Sequence, residues 1–287
     1  MLPPVVWLNE LKQNPAQTLD VLNSDGINLS PLSDLPNTFT ALNEQREAIT
    51  HHSFADNGNI YLINPSSMLP PLVLNPKPSD LVLDLTAAPG SKTLIMAWLM
   101  KNQGQISAVE NVKYRFHKLK ANLERNGVTN TKLFLKDGTT IWKYCPERFD
   151  KILLDAPCST EARFQTNNPK SFAFWSEKKI KEMNRKQRKL LFSAIQSLRP
   201  GGELVYSTCA FSPEENEEPI DRILHKFGNK LTVSDITIPI RNWHPAKLRW
   251  RKKEYHPDLK KAIRILPNGV YEGFFICKIR KLESTLL

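Results

Sequence analysis

The chain has 287 residues, a mass of 32.9 kDa, 40% hydrophobic residues and a formal net charge of +11. This length suffices for one large hydrophobic core, and the composition is typical of a soluble globular protein. No run approaches the roughly 20 apolar residues of a membrane-spanning helix, so we expect no association with a membrane. Four cysteines are too few for a disulfide framework, and their spacing matches no zinc site.

The positive charge is unevenly distributed along the chain. Residues 1–80 carry three basic and eight acidic side chains, so the remainder holds a net charge of +16. A field of that strength attracts polyanions such as nucleic acids and is screened by salt. The N-terminal segment has no basic region followed by an apolar core, so we expect no secretory signal and a reduced, cytoplasmic protein.

The first 57 residues differ in composition from those that follow. Ten of the 21 prolines lie within the first 80 residues, and turn-forming segments interrupt the N-terminal stretch. We predict a small irregular N-terminal appendage over residues 1–57, with short helices near 5–13 and 40–50. A single larger domain is expected over residues 58–283.

From residue 81 onwards, strand-like and helical segments alternate. Apolar runs and helical spacing predict strands at 81–85, 105–110, 131–137, 150–156, 202–208 and 271–281, and helices at 91–102, 112–127, 177–198 and 213–224. This alternation predicts a doubly wound, mostly parallel sheet with helices on both faces.

The segment DLTAAPGSKT (84–93) joins the first of these strands to a helix. Its small residues, among them Ala88 and Gly90, allow the backbone to approach a ligand, and the helix N-terminus offers free N–H groups. A phosphate-binding P-loop needs glycine at the positions of Thr86 and Ser91, and a dinucleotide loop needs three spaced glycines. An S-adenosylmethionine loop needs less glycine because no pyrophosphate has to be approached, and this interpretation is favoured.

Two carboxylates follow the next two predicted strands. Glu110 ends the second strand, where a carboxylate can accept hydrogen bonds from both hydroxyls of a ribose. Asp137 ends the third, in a position suited to the adenine edge. An acid at a strand end is often only a helix cap, but two acids at successive strand ends favour a nucleoside cofactor.

Two cysteines follow the fourth and fifth predicted strands. Cys158 lies in DAPC after one strand, and Cys209 lies in STC after the next. Because parallel strands present their carboxyl ends at one edge of a sheet, both thiols and the cofactor loop are expected to lie along that edge. Free cysteines are commonly buried hydrophobic residues, and we interpret Cys145 and Cys277 in that way.

This arrangement suits methylation of a pyrimidine ring at carbon 5. That carbon is a weak nucleophile until a thiolate adds to carbon 6, which gives the ring enamine character. A carboxyl group at N3, here Asp155, would stabilise the adduct, and a cation such as Lys92 would lower the pKa of the thiol. The residues alone leave open which cysteine attacks.

At these residues the chain resembles the RNA cytosine-5 methyltransferases of the Nol/Nop/Sun type. DLTAAPGSKT is similar to the family's cofactor loop, and DAPCS and RPGGELVYSTC with PEENE are similar to its two cysteine motifs. The resemblance extends over residues 58–281. It implies an α/β class I methyltransferase fold, Rossmann-like, with a mostly parallel seven-stranded sheet and an antiparallel C-terminal strand.

The resemblance also implies roles for particular residues. Cys209, in the S-T-C motif, is the nucleophile, and Cys158 assists breakdown of the covalent adduct. Asp155 contacts the target base, and Lys92 is a further catalytic residue. No metal is implied, and the S-adenosylmethionine contacts correspond to Thr86, Ala87, Ala88, Pro89, Gly90, Ser91, Lys92, Glu110, Arg115, Asp137 and Asp155.

The chain departs from the family pattern in two loops. Thr86 stands where the family usually has cysteine and Ser91 where it has a second glycine, and both are small enough to preserve the loop. After DAPCS, residues 160–163 read Thr-Glu-Ala-Arg instead of glycine and another small residue. This segment borders the base pocket, so the resemblance does not extend to the sequence context of the target base.

Two basic segments with aromatic residues are candidate RNA-binding surfaces. Residues 170–189 contain eight basic side chains with Trp175 among them, and residues 240–261 contain eight more with Trp243 and Trp250. Basic groups bind phosphates, and aromatic rings stack on unpaired bases.

We therefore predict a monomeric enzyme that methylates carbon 5 of a cytosine in structured RNA, with S-adenosylmethionine as the methyl donor, and we favour ribosomal over transfer RNA. Two alternatives stay open: a non-catalytic RNA-binding protein on the same fold, and an amino-group methyltransferase. Retention of both thiols, Asp155 and Lys92 argues against the first. The second typically carries an Asn/Asp-Pro-Pro-aromatic loop where this chain has DAPC.

Overall fold

Two β-sheets organise the polypeptide, a small N-terminal sheet and a large central one. The structure is a computed structural model that describes residues 2–165 and 167–286. The elements of the N-terminal segment are β1 Val5–Leu8, α1 Pro15–Ser24, β2 Ser30–Pro31, β3 Thr38–Thr40, α2 Arg46–Thr50, α3 Ser53–Asp56 and β4 Ile60–Leu62.

The N-terminal sheet has the strand order β2-β3-β1-β4, and all its pairs are antiparallel. The helix predicted near 5–13 is wrong, because residues 5–8 form β1 and are buried in the sheet. Two β-branched residues and a tryptophan in a run of four favour this extended, packed conformation. The helix near 40–50 is confirmed as a short 3₁₀ helix, Asn43–Gln45, followed by α2. The appendage is therefore built around a sheet and is not irregular.

The N-terminal sheet packs closely on the rest of the chain. The rings of Trp7 and Trp98 meet edge to face with centroids 5.7 Å apart. Asn9 Nδ2 donates hydrogen bonds to the carbonyl oxygens of Gly58 (2.8 Å) and Asn126 (2.9 Å). The edge strand of the N-terminal sheet, β4, lies beyond the domain boundary that was expected at residue 57. The division into an appendage and a larger domain stays a prediction.

The remaining elements form the central sheet, a two-stranded hairpin and their helices. They are α4 Leu69–Leu74, β5 Leu81–Asp84, α5 Ser91–Leu99, β6 Gln105–Glu110, α6 Lys113–Arg125, β7 Thr131–Leu135, β8 Phe149–Asp155, α7 Glu177–Ser197, β9 Leu198–Thr208, α8 Glu217–Phe227, β10 Leu231–Ser234, β11 Trp243–Pro245, β12 Arg249–Trp250, β13 Lys253–Glu254, β14 Ile263–Ile265 and β15 Phe274–Lys281. The strands and helices predicted for this region are present, with ends displaced by a few residues. Over the described ranges, no helix is long and apolar enough to cross a membrane.

Five parallel strands form the centre of the large sheet in the order β9-β8-β5-β6-β7. The C-terminal strand β15 pairs antiparallel with β9, as predicted. Strands β10 and β14 pair with β15, and β11 pairs with β14, so within the described residues the sheet has nine strands and not the predicted seven. The added strands have four residues or fewer, too short for an apolar pattern to separate them from loops.

Alternate residues of the central strands face two apolar layers. Val82 packs in the layer that includes α4, α5 and α6, whereas its neighbour Leu83 packs in the layer that includes α7 and α8. Burial on both faces explains why these strands are continuous apolar runs. Cys277 is buried in the second layer and Cys145 packs against it, which agrees with the interpretation of both as structural thiols.

The strand order reverses between β5 and β8. Strands β6 and β7 extend the sheet on one side of β5, whereas β8 and β9 extend it on the other side. Ligands bind at such a switch point, outside the carboxyl ends of the strands. The loops that follow all five parallel strands therefore open onto one crevice.

Candidate active site

A cleft of about 490 Å³ lies at the carboxyl ends of the parallel strands. Ala87 is buried in the core beneath it, and Gly90 is buried against α6. The other residues predicted from the sequence all line the cleft: Thr86, Ala88, Pro89, Ser91, Lys92, Glu110, Arg115, Asp137, Asp155, Cys158 and Cys209. The structure thus brings the cofactor loop, the two acids and the two thiols into one site.

The cofactor loop connects β5 to α5 and needs glycine at position 90. Gly90 has a φ of +110°, and a Cβ atom there would lie 3.0 Å from Leu119 Cδ1 of α6. Both the left-handed backbone and the close approach of α6 therefore favour glycine. Thr86 Oγ1 donates a hydrogen bond to the carbonyl oxygen of Asp155 (2.8 Å), which ties this loop to the end of β8.

Glu110 is buried at the end of β6 with both oxygens oriented by neighbours. Its Oε1 accepts hydrogen bonds from the N–H groups of Asn111 and Val112, both at 2.9 Å. Its Oε2 lies 3.7 Å from Arg115 Nη1, and the same guanidinium donates to the carbonyl oxygen of Ala88 (2.7 Å). The carboxylate is therefore held rigidly at the cleft wall, where it can accept hydrogen bonds from a ligand.

Asp137 follows β7 and combines two roles. Its Oδ1 accepts a hydrogen bond from the N–H of Thr139 (2.9 Å), which caps a short 3₁₀ helix. The residue also lines the cleft, next to the apolar side chains of Leu85 and Leu190. Asp137 therefore caps a helix and also lines the cleft.

A further carboxylate, Asp84, lies beneath the cofactor loop and was not among the predicted site residues. It ends β5, is buried, and accepts a hydrogen bond from Thr93 Oγ1 (2.7 Å). Burial raises the pKa of Asp84 to about 6, and the nearby Asp155 carboxylate adds to this effect. The sequence could have indicated Asp84 as a site residue, because it is the first residue of DLTAAPGSKT.

The raised pKa of Asp84 predicts a pH-dependent stability. The unfolded chain releases this proton near the ordinary pKa of 3.8, and the folded protein releases it near 6. The contribution of Asp84 to the free energy of unfolding is therefore fully present below pH 3.8 and is lost as the pH rises to about 6. We expect Asp84→Asn, which keeps an acceptor for Thr93, to flatten this part of the profile in urea unfolding. Asp56→Asn, at an exposed acid, is the control, and unchanged slopes in Asp84→Asn would contradict the prediction.

The two thiols lie side by side. The Sγ atoms of Cys158 and Cys209 are 3.3 Å apart, and both cysteines are free. Their proximity follows from the register of β8 and β9, which pairs Asp155 with Ser207 just before the two loops begin. The N–H of Ala162 in the first loop donates to the carbonyl oxygen of Cys209 (3.1 Å) in the second.

The surroundings of the two thiols differ in charge. The hydrogen bond between them lowers the pKa of Cys209, and the Arg163 guanidinium and the Lys92 ammonium group lower it further, against the opposing effects of burial and the Asp155 carboxylate. The same hydrogen bond, together with burial and the Glu215 carboxylate, raises the pKa of Cys158. These opposite directions favour ionisation of Cys209 over ionisation of Cys158.

Asp155 is oriented by a cation and a hydroxyl. Lys92 Nζ lies 2.7 Å from Asp155 Oδ2, and Ser207 Oγ donates to Oδ1 (2.9 Å). Lys92 Nζ also lies 5.5 Å from the centroid of the Phe274 ring. Asp155 remains partly exposed to the cleft, so this pair presents both a hydrogen-bond acceptor and a cation to a bound ring.

Two glutamates that were not predicted as site residues brace the cysteine loops. Glu215 is buried and accepts hydrogen bonds from the N–H and hydroxyl of Ser159 and from Ser212 Oγ. Glu161 Oε2 accepts from the N–H groups of Phe211 and Ser212, both at 2.7 Å. Each glutamate therefore joins the loop after β8 to the loop after β9. Glu215 belongs to the segment PEENE, which was part of the family resemblance, so the sequence could have indicated it as a site residue.

Other lining residues also escaped prediction. Arg163 comes from the segment that departs from the family pattern, and Tyr61, Asn64 and Ser67 come from the stretch GNIYLINPSS and the residues around it. That stretch was part of the resemblance, but no chemistry could be assigned to it from sequence. Within residues 2–165 and 167–286, no group of three or more His, Cys, Asp or Glu side chains is arranged to hold a metal ion.

The sheet order and the strand-end cleft define a class I methyltransferase. A family model described as 16S rRNA methyltransferase RsmB/F matches residues 71–280. The chain therefore belongs to this family of RNA cytosine-5 methyltransferases, as the sequence resemblance predicted.

Named relatives and a solved structure agree with this assignment. The chain is 44% identical over 220 residues, 75% of its length, to a tRNA (cytosine(49)-C(5))-methyltransferase from Pyrococcus abyssi. It is 34% identical over 284 residues, 97% of its length, to the ribosomal RNA small subunit methyltransferase F of Vibrio parahaemolyticus. A crystal structure of a methyltransferase homolog from Pyrococcus horikoshii superposes with a TM-score of 0.84 at 35% identity, over 98% of this chain and 87% of that one.

The matches cover only part of the relatives' own length. They span 68% of the Pyrococcus abyssi protein and 57% of the Vibrio parahaemolyticus protein. Some of these relatives are tRNA methyltransferases by name and others are rRNA methyltransferases, so family membership defines the chemical class and leaves the particular RNA open.

Proposed function

We propose that this protein transfers the methyl group of S-adenosylmethionine to carbon 5 of a cytosine in structured RNA, through a covalent adduct on Cys209. The observation that carries the proposal is the thiol pair in the strand-end cleft, whose Sγ atoms lie 3.3 Å apart, with the pKa of Cys209 lowered and that of Cys158 raised. Asp155 and Lys92 lie in the same cleft. An amino-group methyltransferase has no use for this thiol pair.

The cleft has the features that the methyl donor requires. Its volume of about 490 Å³ suits a nucleoside-sized ligand, and Gly90 lets α6 pack closely behind the loop. The buried Glu110 would accept from the ribose hydroxyls, Asp137 would bind the adenine edge, and residues 86–92 with Arg115 would enclose the remainder. When bound, S-adenosylmethionine supplies an electrophilic methyl group on a sulfonium.

The residues around the thiols are then each assigned one step of the reaction. The Cys209 thiolate forms a bond to carbon 6 of cytosine, and carbon 5 gains the electron density with which it takes up the methyl group. The negative charge that develops on the N3 side of the ring is stabilised by the Lys92 ammonium group and, once Asp155 carries a proton, by a hydrogen bond from its carboxyl group to N3. In the last step Cys158 gives its proton to the Cys209 sulfur as the sulfur–carbon bond breaks. The proton lost from carbon 5 then returns to Cys158, so that both thiols are restored.

Arg163 is expected to tune the attacking thiol. Its guanidinium adds to the effect of the Cys158 hydrogen bond in lowering the pKa of Cys209, so Arg163→Gln raises that pKa. The rate at which iodoacetamide alkylates Cys209, measured by peptide mass mapping, will rise at a higher pH in this variant than in the wild type. Arg163→Lys keeps the charge and is expected to restore most of the profile. Identical profiles for wild type and Arg163→Gln would refute this role.

Glu110 is expected to govern affinity for the methyl donor. Removing a buried, charged acceptor in Glu110→Ala is expected to weaken S-adenosylmethionine binding by roughly 10- to 100-fold in isothermal titration. Glu110→Gln retains an oxygen for the backbone N–H groups and separates ligand binding from local folding. Glu124→Ala, at an exposed acid of α6, is the control and is expected to bind as the wild type does. Equal affinities for Glu110→Ala and the wild type would rule out the assigned contact.

The proposal of an RNA substrate rests on the positive charge of the protein and on its family. The α7 helix has an exposed basic face, and one of its lysines, Lys186, reaches the cleft. Tyr255 in the second basic segment is buried and cannot stack on a base. We favour ribosomal RNA as the substrate because the description of the matching family names 16S rRNA. Transfer RNA is the second candidate, because the archaeal relative is named for it.

A direct assay tests the proposed function. The purified protein is incubated with methyl-labelled S-adenosylmethionine and separate ribosomal and transfer RNA fractions, and the RNA is then digested to nucleosides. The expected result is label in 5-methylcytidine from one of these fractions. Label in N4-methylcytidine, in another nucleoside or in protein alone would overturn the proposal.

A further inference from the structure

A second cavity, of about 670 Å³, lies beside the cysteine loops and has aromatic walls. We propose that this aromatic pocket binds an unpaired nucleobase of the RNA, a neighbour of the target cytosine. The inference rests on the proposed RNA substrate and deepens it by adding a second base-binding site. The pocket is defined by four rings: Phe164, Trp175, Phe211 and Trp250.

The aromatic pocket is built from the two loops that carry the thiols. Glu161 in the loop after Cys158 and Phe211 in the loop after Cys209 both line it. The N–H of Phe211 donates to Glu161 Oε2 (2.7 Å), so the shared wall is a hydrogen-bonded unit. A Cβ atom at Gly273 would lie 2.4 Å from the Phe211 ring, so glycine there allows the ring its position. A base in this pocket therefore lies close along the RNA to a base at the thiols.

The two indoles are fixed with their polar atoms satisfied. Trp175 Nε1 donates to Glu161 Oε1 (2.9 Å), and Trp250 Nε1 donates to Glu214 Oε1 (3.0 Å). Trp175 is nevertheless 44% exposed and Phe211 39% exposed. The exposed rings of Trp175 and Phe211 can therefore stack on a flat partner, whereas Lys247 and Arg251 already lie over the Trp250 ring, 5.6 and 6.0 Å from its centroid.

The charge inside the pocket favours a base over a phosphate. Three carboxylates lie in its lining. Glu161 and Glu214 hold the indoles, and Glu177 Oε1 lies 4.0 Å from Arg251 Nη2. A phosphate anion would be repelled by such a lining, whereas an uncharged base is not, and its amino groups can donate to carboxylate oxygens.

The rim of the pocket carries the charge that a phosphodiester needs. Lys181 and Arg251 line the pocket and are exposed, and Lys247 Nζ lies 5.6 Å from the centroid of the Trp250 ring. An interior of aromatic rings and carboxylates with a basic rim matches a nucleotide, whose ring enters the pocket while its phosphates stay at the surface. An apolar peptide would not need the basic rim, and a lipid would not suit the carboxylates.

Binding of cytosine-free RNA tests the pocket separately from methyl transfer. The probes are a fluorescein-labelled short single-stranded RNA of adenosine, guanosine and uridine, and the same ribose-phosphate chain without bases. In the variant Trp175→Ala/Trp250→Ala, fluorescence anisotropy is expected to show roughly tenfold or greater loss of affinity for the RNA. Affinity for the abasic chain is expected to stay unchanged, because its phosphates contact only the rim.

Three controls separate stacking from structure. Tyr144→Ala removes an exposed aromatic ring outside the pocket and both basic segments, and it is expected to bind both probes as the wild type does. Trp175→Phe/Trp250→Phe retains flat rings and is expected to recover most of the affinity. S-adenosylmethionine binding is expected to be unchanged in every variant, because the pocket does not share the cofactor residues.

The outcomes distinguish this inference from the proposed function. An equal loss for the two probes would mean that the indoles act through structure or charge, and it would overturn the inference. No loss for either probe, or no binding of the RNA by the wild type, would overturn it as well. Because the probe lacks cytosine, a failure of the Cys209 chemistry leaves these measurements unaffected, and a failure of the pocket leaves the methyl-transfer assay unaffected.

Discussion

Replacing Cys209 with alanine is expected to lower methyl transfer to RNA by on the order of 10⁴-fold or more, the scale seen when a covalent nucleophile is removed. The expected cause is the loss of the thiolate that attacks carbon 6, which Cys158 is not expected to replace because its pKa is raised. Without addition at carbon 6, carbon 5 remains too weak a nucleophile to take the methyl group. Transfer of labelled methyl to RNA, with S-adenosylmethionine binding measured in parallel, checks the prediction.

Cys145→Ala is the matched control for this experiment. Cys145 is a partly buried free cysteine that packs on the core away from the cleft, and its variant is expected to keep full activity. Full activity in Cys209→Ala would sink the covalent mechanism. An inactive Cys158→Ala, together with an adduct in Cys209→Ala, would mean that the two thiols exchange roles.

Replacing Cys158 with alanine is expected to trap the protein on its RNA. The Cys158 thiol is 3.3 Å from Cys209 Sγ, close enough to take part when the sulfur–carbon bond breaks. Without it, methylated cytosine is expected to stay bonded to Cys209, because the carbon-5 proton is lost slowly. Labelled RNA that migrates with the protein after denaturation, in a molar amount approaching that of the enzyme, is the expected observation.

The double variant Cys158→Ala/Cys209→Ala controls for non-specific crosslinks and is expected to form no adduct. Single-turnover kinetics sharpen the result, because Cys158→Ala is expected to transfer one methyl group per protein and then stop. Rapid multiple turnover in Cys158→Ala would show that another group assists release. Glu215, which raises the pKa of Cys158, would then be the first residue to examine.

The choice of nucleophile shows how sequence and structure complement each other. The residues alone left Cys158 and Cys209 equivalent, and the family resemblance assigned attack to Cys209. The directions of the two pKa shifts support the same assignment, because Arg163 and Lys92 contribute to lowering the pKa of Cys209 and Glu215 contributes to raising that of Cys158. Arg163 comes from the segment where the chain departs from its family, so this electrostatic difference could not be inferred from the motif.

The central fold was predictable because its strands are local patterns. Each buried strand is a continuous apolar run, and each helix between them has its own apolar face, so the alternation is visible without knowing what packs against what. The N-terminal sheet was not predictable in this way. Its strand β1 pairs with β3 and β4, which are distant in the chain, and a run of four residues does not identify such partners.

The aromatic pocket and the glutamate braces were also beyond the sequence. Trp175 and Trp250 lie in separate basic segments, and each was interpreted as part of a different surface. The fold brings them to one cavity with Phe211, from a third segment. Glu161 gained its role from contacts with backbone N–H groups across the two loops, and backbone groups leave no mark in a sequence.

The amino-acid sequence by itself determined the α/β class, the cofactor loop and the two candidate thiols, because parallel strands always deliver their carboxyl-end loops to one edge. Tertiary structure alone decided that the small N-terminal sheet packs on this domain, that the large sheet has nine strands over the described ranges, and that the Sγ atoms of Cys158 and Cys209 lie 3.3 Å apart. The physical reason is range: strand and helix patterns repeat within a few residues, whereas charge, burial and hydrogen bonding at the site depend on residues from distant parts of the chain.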